Sequence, residues 1–229
     1  DEKVIIILDQ TTFYANGGGQ IGDTGYIATN QAKIKIEDTT KTSSSIYLHK
    51  GYVVEGIVSC NDQAKVEVNK KKRLDIMRNH TAAHLLQAAL RKVLGDHVEQ
   101  SGQLVDENRV RFDFTHFSAL TQQEINKVEE IINDKIFNEY KVSSQEMPID
   151  EAKKLGAMAL FGEKYGKMVR VVQIEDFSLE FCGGTHVNDC SKLSMFKILS
   201  ESSVASGVRR IEAITGKACF NLMNKSIQT

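Results

Sequence analysis

The chain contains no tryptophan, a single proline (Pro148) and only four cysteines in 229 residues. One proline leaves little scope for rigid linkers and predicts a chain that is mostly regular structure. Cys60, Cys182, Cys190 and Cys219 are too sparse for a disulfide framework, which excludes a stapled secreted scaffold and points to a reducing, cytoplasmic setting. No apolar run approaches the ~20 residues that span a bilayer, and the longest aliphatic cluster, Val4 to Leu8, is strand-sized. No membrane partner is expected. A net charge of −1 gives no bulk attraction to nucleic acid. A polyanionic partner would need local patches, and Lys70-Lys71-Lys72-Arg73 is the best candidate, although such runs are usually solvated helix faces. No signal peptide opens the chain, and the first residue is Asp1 instead of Met, so an excised fragment is expected.

A hydrophobic fraction of 41% and a charged fraction of 26% describe an ordinary globular chain, long enough for one domain or two. Residues 3 to about 69 read as short strands and turns. Val4–Leu8 is apolar, Gly17-Gly18-Gly19 breaks the chain, Lys33-Ile34-Lys35-Ile36 and Val66-Glu67-Val68 alternate, and Thr39 to Ser45 reads as a hairpin loop. Six or so such strands suggest a small antiparallel β-barrel. From about Lys71 the period becomes helical: Leu74, Met77, Leu85, Ala89 and Val93 share a face, with Gly95 as the C-cap. Thr121-Gln122-Gln123-Glu124 fits a capping box, with Ile125, Val128, Ile132 and Ile136 on one face of the helix that follows. Pro148 to Leu155 reads as a short helix. Val110–Phe114, Met168–Ile174, Phe177–Phe181, Met195–Glu201 and Arg209–Ile214 read as strands. The expected class is therefore α+β: a barrel subdomain over 1–69, then helices packed on an antiparallel sheet over 70–229. There is no internal repeat and no low-complexity tract.

Two segments carry chemistry. His80 and His84 sit four apart within the long helix, and Cys182 and His186 sit four apart in a glycine-bearing loop after a strand. Three imidazoles and a thiol are a donor set suited to tetrahedral Zn²⁺, and they leave the ion with a net charge of about +1, still a Lewis acid. A closed structural site and an opening, chemically active one are both compatible with the spacing. Gly183 and Gly184 favour close approach by substrate. Cys190 is a substitute ligand or, more simply, an incidental thiol.

Several blocks match one family in order. Tyr14 through Gly25, Asn79 through Leu86, Gly156 through Tyr165, Leu179 through Val187 and Glu201 through Gly216 resemble the editing region of alanyl-tRNA synthetases. The resemblance implies hydrolysis of mischarged seryl-tRNA(Ala), and of the glycyl ester, at a zinc site. It also implies the acceptor end of tRNA(Ala) and the rest of a parent synthetase as partners. His80, His84, Cys182 and His186 fall on the family's zinc ligands. Gln100 falls on a glutamine linked to editing, with Ser101 beside it where related trans-editing proteins carry a hydroxyl; a capped turn is the plain alternative. Gly17, Gly18, Gly19 and Gln20 correspond to the family's glycine motif, with a glycine where a larger residue such as serine is expected. Gly183, Gly184 and Thr185, in the same loop as Cys182 and His186, are candidates for substrate or tRNA contact. Arg209 or Arg210, or the Lys70–Arg73 run, would contact the tRNA backbone. Glu180 suits a structural pair, and His97 and His116 ordinary packing. No ATP-binding or aminoacylation region is recognisable. A free-standing trans-editing deacylase and a tRNA-binding module with structural zinc are the alternatives. The Gly-Gly-Gln segment and the Arg209–Gly216 block speak against a threonyl-tRNA synthetase origin.

Overall fold

Alternating apolar and charged residues build the first third of the chain. In Ala32–Lys41 the side chains of Ala32, Ile34 and Ile36 are buried while Lys33 and Glu37 face out. The computed structural model describes residues 2–159 and 166–227. It divides into two compact units, Asp1–Leu74 and Asp75–Thr229.

The first unit holds strands β1 (Lys3–Ile6), β2 (Gly25–Ala28), β3 (Ala32–Lys41), β4 (Tyr47–Gly56) and β5 (Lys65–Val68). They pair antiparallel in the order β1-β4-β3-β2-β5. The expected barrel is thus corrected: the sheet is open, with β1 and β5 as unpaired edges. Curvature still brings both edges onto one core, because Val4 and Ile6 of β1 and Val66 and Val68 of β5 pack around Phe13, Ile27, Ile34 and Ile36. Each edge strand has only four residues. A cavity of about 450 Å³ lies between β1 and the segment from Val58 to Ala64. The expected hairpin loop is also shorter than the sequence suggests, since β3 continues through Thr39 to Lys41.

Helix α1 (Lys70–Leu94) opens at the end of this unit, where Asp23, 1% exposed, receives Tyr14 N–H and the Arg73 guanidinium. Arg73, the last residue of the basic run, is therefore committed to the fold.

In the second unit α1 is followed by β6 (Gln100–Val105), β7 (Val110–Thr115), α2 (Gln122–Phe137), β8 (Val142–Pro148), α3 (Ile149–Lys154), β9 (Met168–Ile174), β10 (Ser178–Phe181), β11 (Phe196–Ala205), β12 (Val208–Thr215) and α4 (Gly216–Ile227). Two antiparallel sheets form, β10-β9-β8 and β11-β12-β7-β6. Among the described residues the fold is mixed α and β with antiparallel sheets and four helices. The Thr121 capping box is made, and Gly95 ends α1 at φ +116°. Val128, Ile132 and Ile136 are buried as the helical period requires. Asn133 fixes α2 to β11 by bonding both the amide and the carbonyl of Phe196. The middle of α1, Asn79 to Gln87, is buried throughout, polar residues included.

At Gly51, a Cβ would fall inside the contact radius of the Lys35 carbonyl carbon and oxygen on β3. Gly51→Ala should lower unfolding free energy by about 2 kcal/mol or more. Urea denaturation followed by circular dichroism measures it.

Candidate metal centre

Two turns of a buried helix and one tight loop converge. His80 and His84 project from α1 with ring centroids 5.6 Å apart. The loop leaving β10 brings His186 to 4.5 Å from the His80 ring and 4.8 Å from the His84 ring, centroid to centroid. One ligand atom from each of His80, His84, Cys182 and His186 lies within 4.8 Å of all the others. Cys182 Sγ is 3.5 Å from His80 Nε2 and 3.3 Å from His186 Nε2. A zinc tetrahedron with bonds of about 2.3 Å to sulfur and 2.0 Å to nitrogen has N···S edges of roughly 3.5 Å.

The neighbours orient these groups. Thr81 Oγ1 accepts the Val187 N–H at 3.2 Å and lies 3.2 Å from His186 Nδ1. That contact leaves Nε2 as the atom facing the cluster. Glu180, on β10, has one carboxylate oxygen 3.1 Å from His84 Nδ1, and the other accepts from Ser178 Oγ at 2.8 Å. Glu180 is thus the charged neighbour of His84 Nδ1, and His84 Nε2 is buried without a hydrogen bond. A cation satisfies such an orphaned nitrogen, so the residues fit a metal. Arg170, on β9, donates to the carbonyls of Cys182 (2.9 Å) and Gly184 (2.7 Å), and so holds the loop shut behind the ligands. Gly184 N–H points at Cys182 Sγ, 3.4 Å away.

Electrostatics agree with that fit. Burial would push the Cys182 thiol up, but His80 and His84 outweigh it and hold it well below its ordinary value. For His84, burial is outweighed by Glu180 and Cys182, which raise its pKa well above 6.5. His186 is pushed down to about 3 by burial and the neighbouring His80. Thiolate and carboxylate together make the pocket favour positive charge, and His186 stays neutral as a ligand must. Cys190 stands outside the group: it is buried, its thiol pushed up to about 12 chiefly by burial. His97 and His116 bond each other at 2.8 Å, also outside it.

The remaining candidates fall in different places. Gln100 opens β6, so it lies in a strand and not in a capped turn, and it lines a cavity of about 270 Å³ together with Gln87 and Glu180. Ser101 is exposed at the β-bulge between Gln100 and Gly102 and does not line that cavity. Gly183 is exposed, while Gly184 is buried and Thr185 half-buried in the ligand loop. Gly17 and Gln20 close a tight turn in the first unit through two backbone bonds of 3.1 and 3.0 Å. Gly18 and Gly19 sit there at φ +56° and +81°, a conformation that explains glycine where a larger residue is expected. Arg209 is 14% exposed and held in a two-bond pair by Glu201, and Arg210 pairs likewise with Asp113. Residues 160–165 of the Gly156–Tyr165 block lie outside the described residues; Met158 bridges to Glu180 of β10. The sequence alone does not single out Thr81, Arg170 or Gln87. Only Gln87 leaves a signal, its helical step of three beyond His84.

A family model described as "Threonyl and Alanyl tRNA synthetase second additional domain" matches residues 169–212, and "tRNA synthetases class II (A)" matches residues 1–72. The class is therefore that of the aminoacyl-tRNA synthetases. Alanine–tRNA ligases of Acetivibrio thermocellus and Staphylococcus saprophyticus are 55% and 52% identical over 96% of this chain, covering 25% of each ligase. That of Bacillus subtilis is 50% identical over 99% of the chain and 26% of the ligase. The chain belongs to the alanine–tRNA ligase family, and it spans about a quarter of the length of the relatives it matches. Among the described residues, no helix is long and apolar enough to cross a membrane.

The purified chain should bind Zn²⁺ or Co²⁺ at one equivalent. Cys182→Ala should abolish stoichiometric binding, and Glu180→Gln should weaken it by about 10–100-fold. Chelator competition, with the Co²⁺–thiolate absorption as readout, measures both.

Proposed function

We propose that this chain is a zinc-dependent aminoacyl-tRNA ester hydrolase that clears seryl, and also glycyl, groups from tRNA(Ala), in the cytoplasm and as the editing part of an alanine–tRNA ligase. The observation that carries this reading is the His80–His84–Cys182–His186 group, two of its members buried and two half-buried, next to a cavity of about 270 Å³ that Glu180 and Gln100 share. When bound, zinc supplies a Lewis acid and a template for the ester or the terminal ribose.

The chain's own residues do the rest. Glu180 and Thr81 orient His84 and His186. Arg170 fixes the loop carbonyls, so the backbone of Gly183–Thr185 presents one surface to substrate. Gln100 offers an amide to the aminoacyl group, and holding the ester there accounts for much of the acceleration by limiting its freedom. Domain 1–69 with its Gly17–Gln20 turn, and the domain from 70 to 229, act with the acceptor end of the tRNA and with the remainder of a ligase chain. Because Arg209 is paired with Glu201, Lys70 and Lys71, exposed at the start of α1, are the better phosphate contacts.

The need for such an activity is physical. A pocket shaped for alanine cannot exclude glycine, and it discriminates weakly against one added hydroxyl. A second site that pairs with the hydroxyl rejects alanine by leaving polar groups unpaired.

Zinc-loaded chain should hydrolyse seryl-tRNA(Ala) at least about 10-fold faster than alanyl-tRNA(Ala). Chelation should remove that activity while circular dichroism shows the fold retained. Ester-linked tRNA left intact by folded, zinc-loaded protein would instead indicate a binding module with structural metal.

A further inference from the structure

Phe117 is the most exposed large apolar side chain among the described residues, at 82%. Single exposed apolar side chains are common and need no partner by themselves. This one differs in being built onto two fixed rings. Its ring lies 4.6 Å from that of His116 and 5.6 Å from that of His97, tilted by 34° and 31°. His97 and His116 stack in turn at 5.1 Å, with 25° between their planes. The imidazoles are held in place: His97 Nε2 and His116 Nδ1 are bonded at 2.8 Å, and Ser118 Oγ lies 3.3 Å from His116 Nε2. His116 itself is buried, and its backbone amide donates to the Gly207 carbonyl at 3.0 Å. Phe117 therefore caps a rigid base, backed by imidazoles and otherwise open to water.

This patch is tied to the wall of the cavity of about 270 Å³, which Glu99 and Gln100 line. Thr115 Oγ1 accepts the Glu99 N–H at 2.9 Å and donates to the His97 carbonyl at 2.7 Å. The Thr115 N–H returns to the Glu99 carbonyl at 2.9 Å. His97 and Phe117 are thus each two residues from this Glu99–Thr115 pair, and two residues of chain reach at most ~7 Å. An aminoacyl group in the cavity arrives on the terminal ribose of an acceptor end, and that ribose carries its base about one sugar ring away. The acceptor end is single-stranded, so its base is free to leave the stack of its own strand. Such bases are held by stacking on aromatic side chains, because each has a flat π face. An exposed ring already stacked on one side offers that contact without first having to be ordered.

We infer that Phe117, backed by His97 and His116, is a stacking platform for the terminal nucleobase of the aminoacyl-tRNA. This rests on the ester-hydrolase reading above and adds to it the seat of the nucleotide that carries the ester. Phe117 is a binding residue in this role: it holds the base and touches no reacting atom.

The test compares wild type, Phe117→Ala and Phe117→Tyr in the zinc-loaded full chain. The probes are adenosine carrying seryl through a non-hydrolysable 3′-amide and the same seryl amide on a ribose without a base, with affinities measured by calorimetry. A third probe replaces the adenine by 2-aminopurine, whose fluorescence falls when it stacks on an aromatic ring. Wild type should bind the adenosine analogue about 10-fold or more tightly than the base-free one and should quench 2-aminopurine. Phe117→Ala should lose about 10-fold for the adenosine analogue, stay within about two-fold for the base-free one, and lose most of the quenching. Phe117→Tyr, which keeps the ring, should retain both. Equal wild-type affinity for the two analogues, an alanine loss shared by both, no loss at all, or binding of neither analogue overturns the inference. Hydrolysis of seryl-tRNA(Ala) by the same proteins keeps the two readings apart. Cleavage with KM unchanged in Phe117→Ala leaves the hydrolase and removes the platform; base-dependent binding through Phe117 in a chain that cleaves no ester leaves the platform and removes the hydrolase.

Discussion

A helix buried on every side while carrying hydrogen-bonding side chains must find each of them a partner inside the protein. In α1 that requirement organises the second unit. Asn79 takes the Thr215 hydroxyl of β12 at 2.7 Å and donates to the Asp106 carbonyl at 2.8 Å. Thr81 holds the backbone of Val187. His80 and His84 meet Cys182, His186 and Glu180. These contacts reach Asp106, β12 and the segment from Glu180 to Val187, so the helix acts as a common polar spine around which two sheets and that loop are arranged.

The candidate metal centre is the part of that spine where protein partners run out. His84 Nε2 is buried with no hydrogen bond, while the Cys182 sulfur and the Glu180 carboxylate lie alongside. Such a pocket is unfavourable as a set of neutral groups and favourable around a cation. Glu180 serves twice, as support for a candidate ligand and as part of the wall of the adjoining cavity.

The first unit depends on close backbone approach. Gly25 and Gly51 let neighbouring strands come nearer than a side chain allows, and the curved sheet wraps Phe13 and the isoleucines without closing. Barrel and open curved sheet share one alternating pattern, because that pattern records which face is buried and not whether the last strand pairs with the first. The difference was therefore invisible in the sequence. Two strands the sequence reading missed, Gln100–Val105 and Val142–Pro148, have a similar cause: their polar runs carry little apolar alternation, and they are strands because β7 and β9 pair with them.

By itself, the sequence determined what depends on neighbours a few residues apart: the helix under His80 and His84, its Gly95 end, the Thr121 capping box, and the two ligand pairs at four-residue spacing. Its ordered blocks also determined the family. Tertiary structure alone decided what depends on partners far apart in the chain. It set His80 against Cys182, paired Glu180 with His84, clamped the loop with Arg170, and engaged Arg209 with Glu201. Periodicity fixes the direction of a side chain relative to its own helix or strand. What that side chain meets is fixed only when the elements pack.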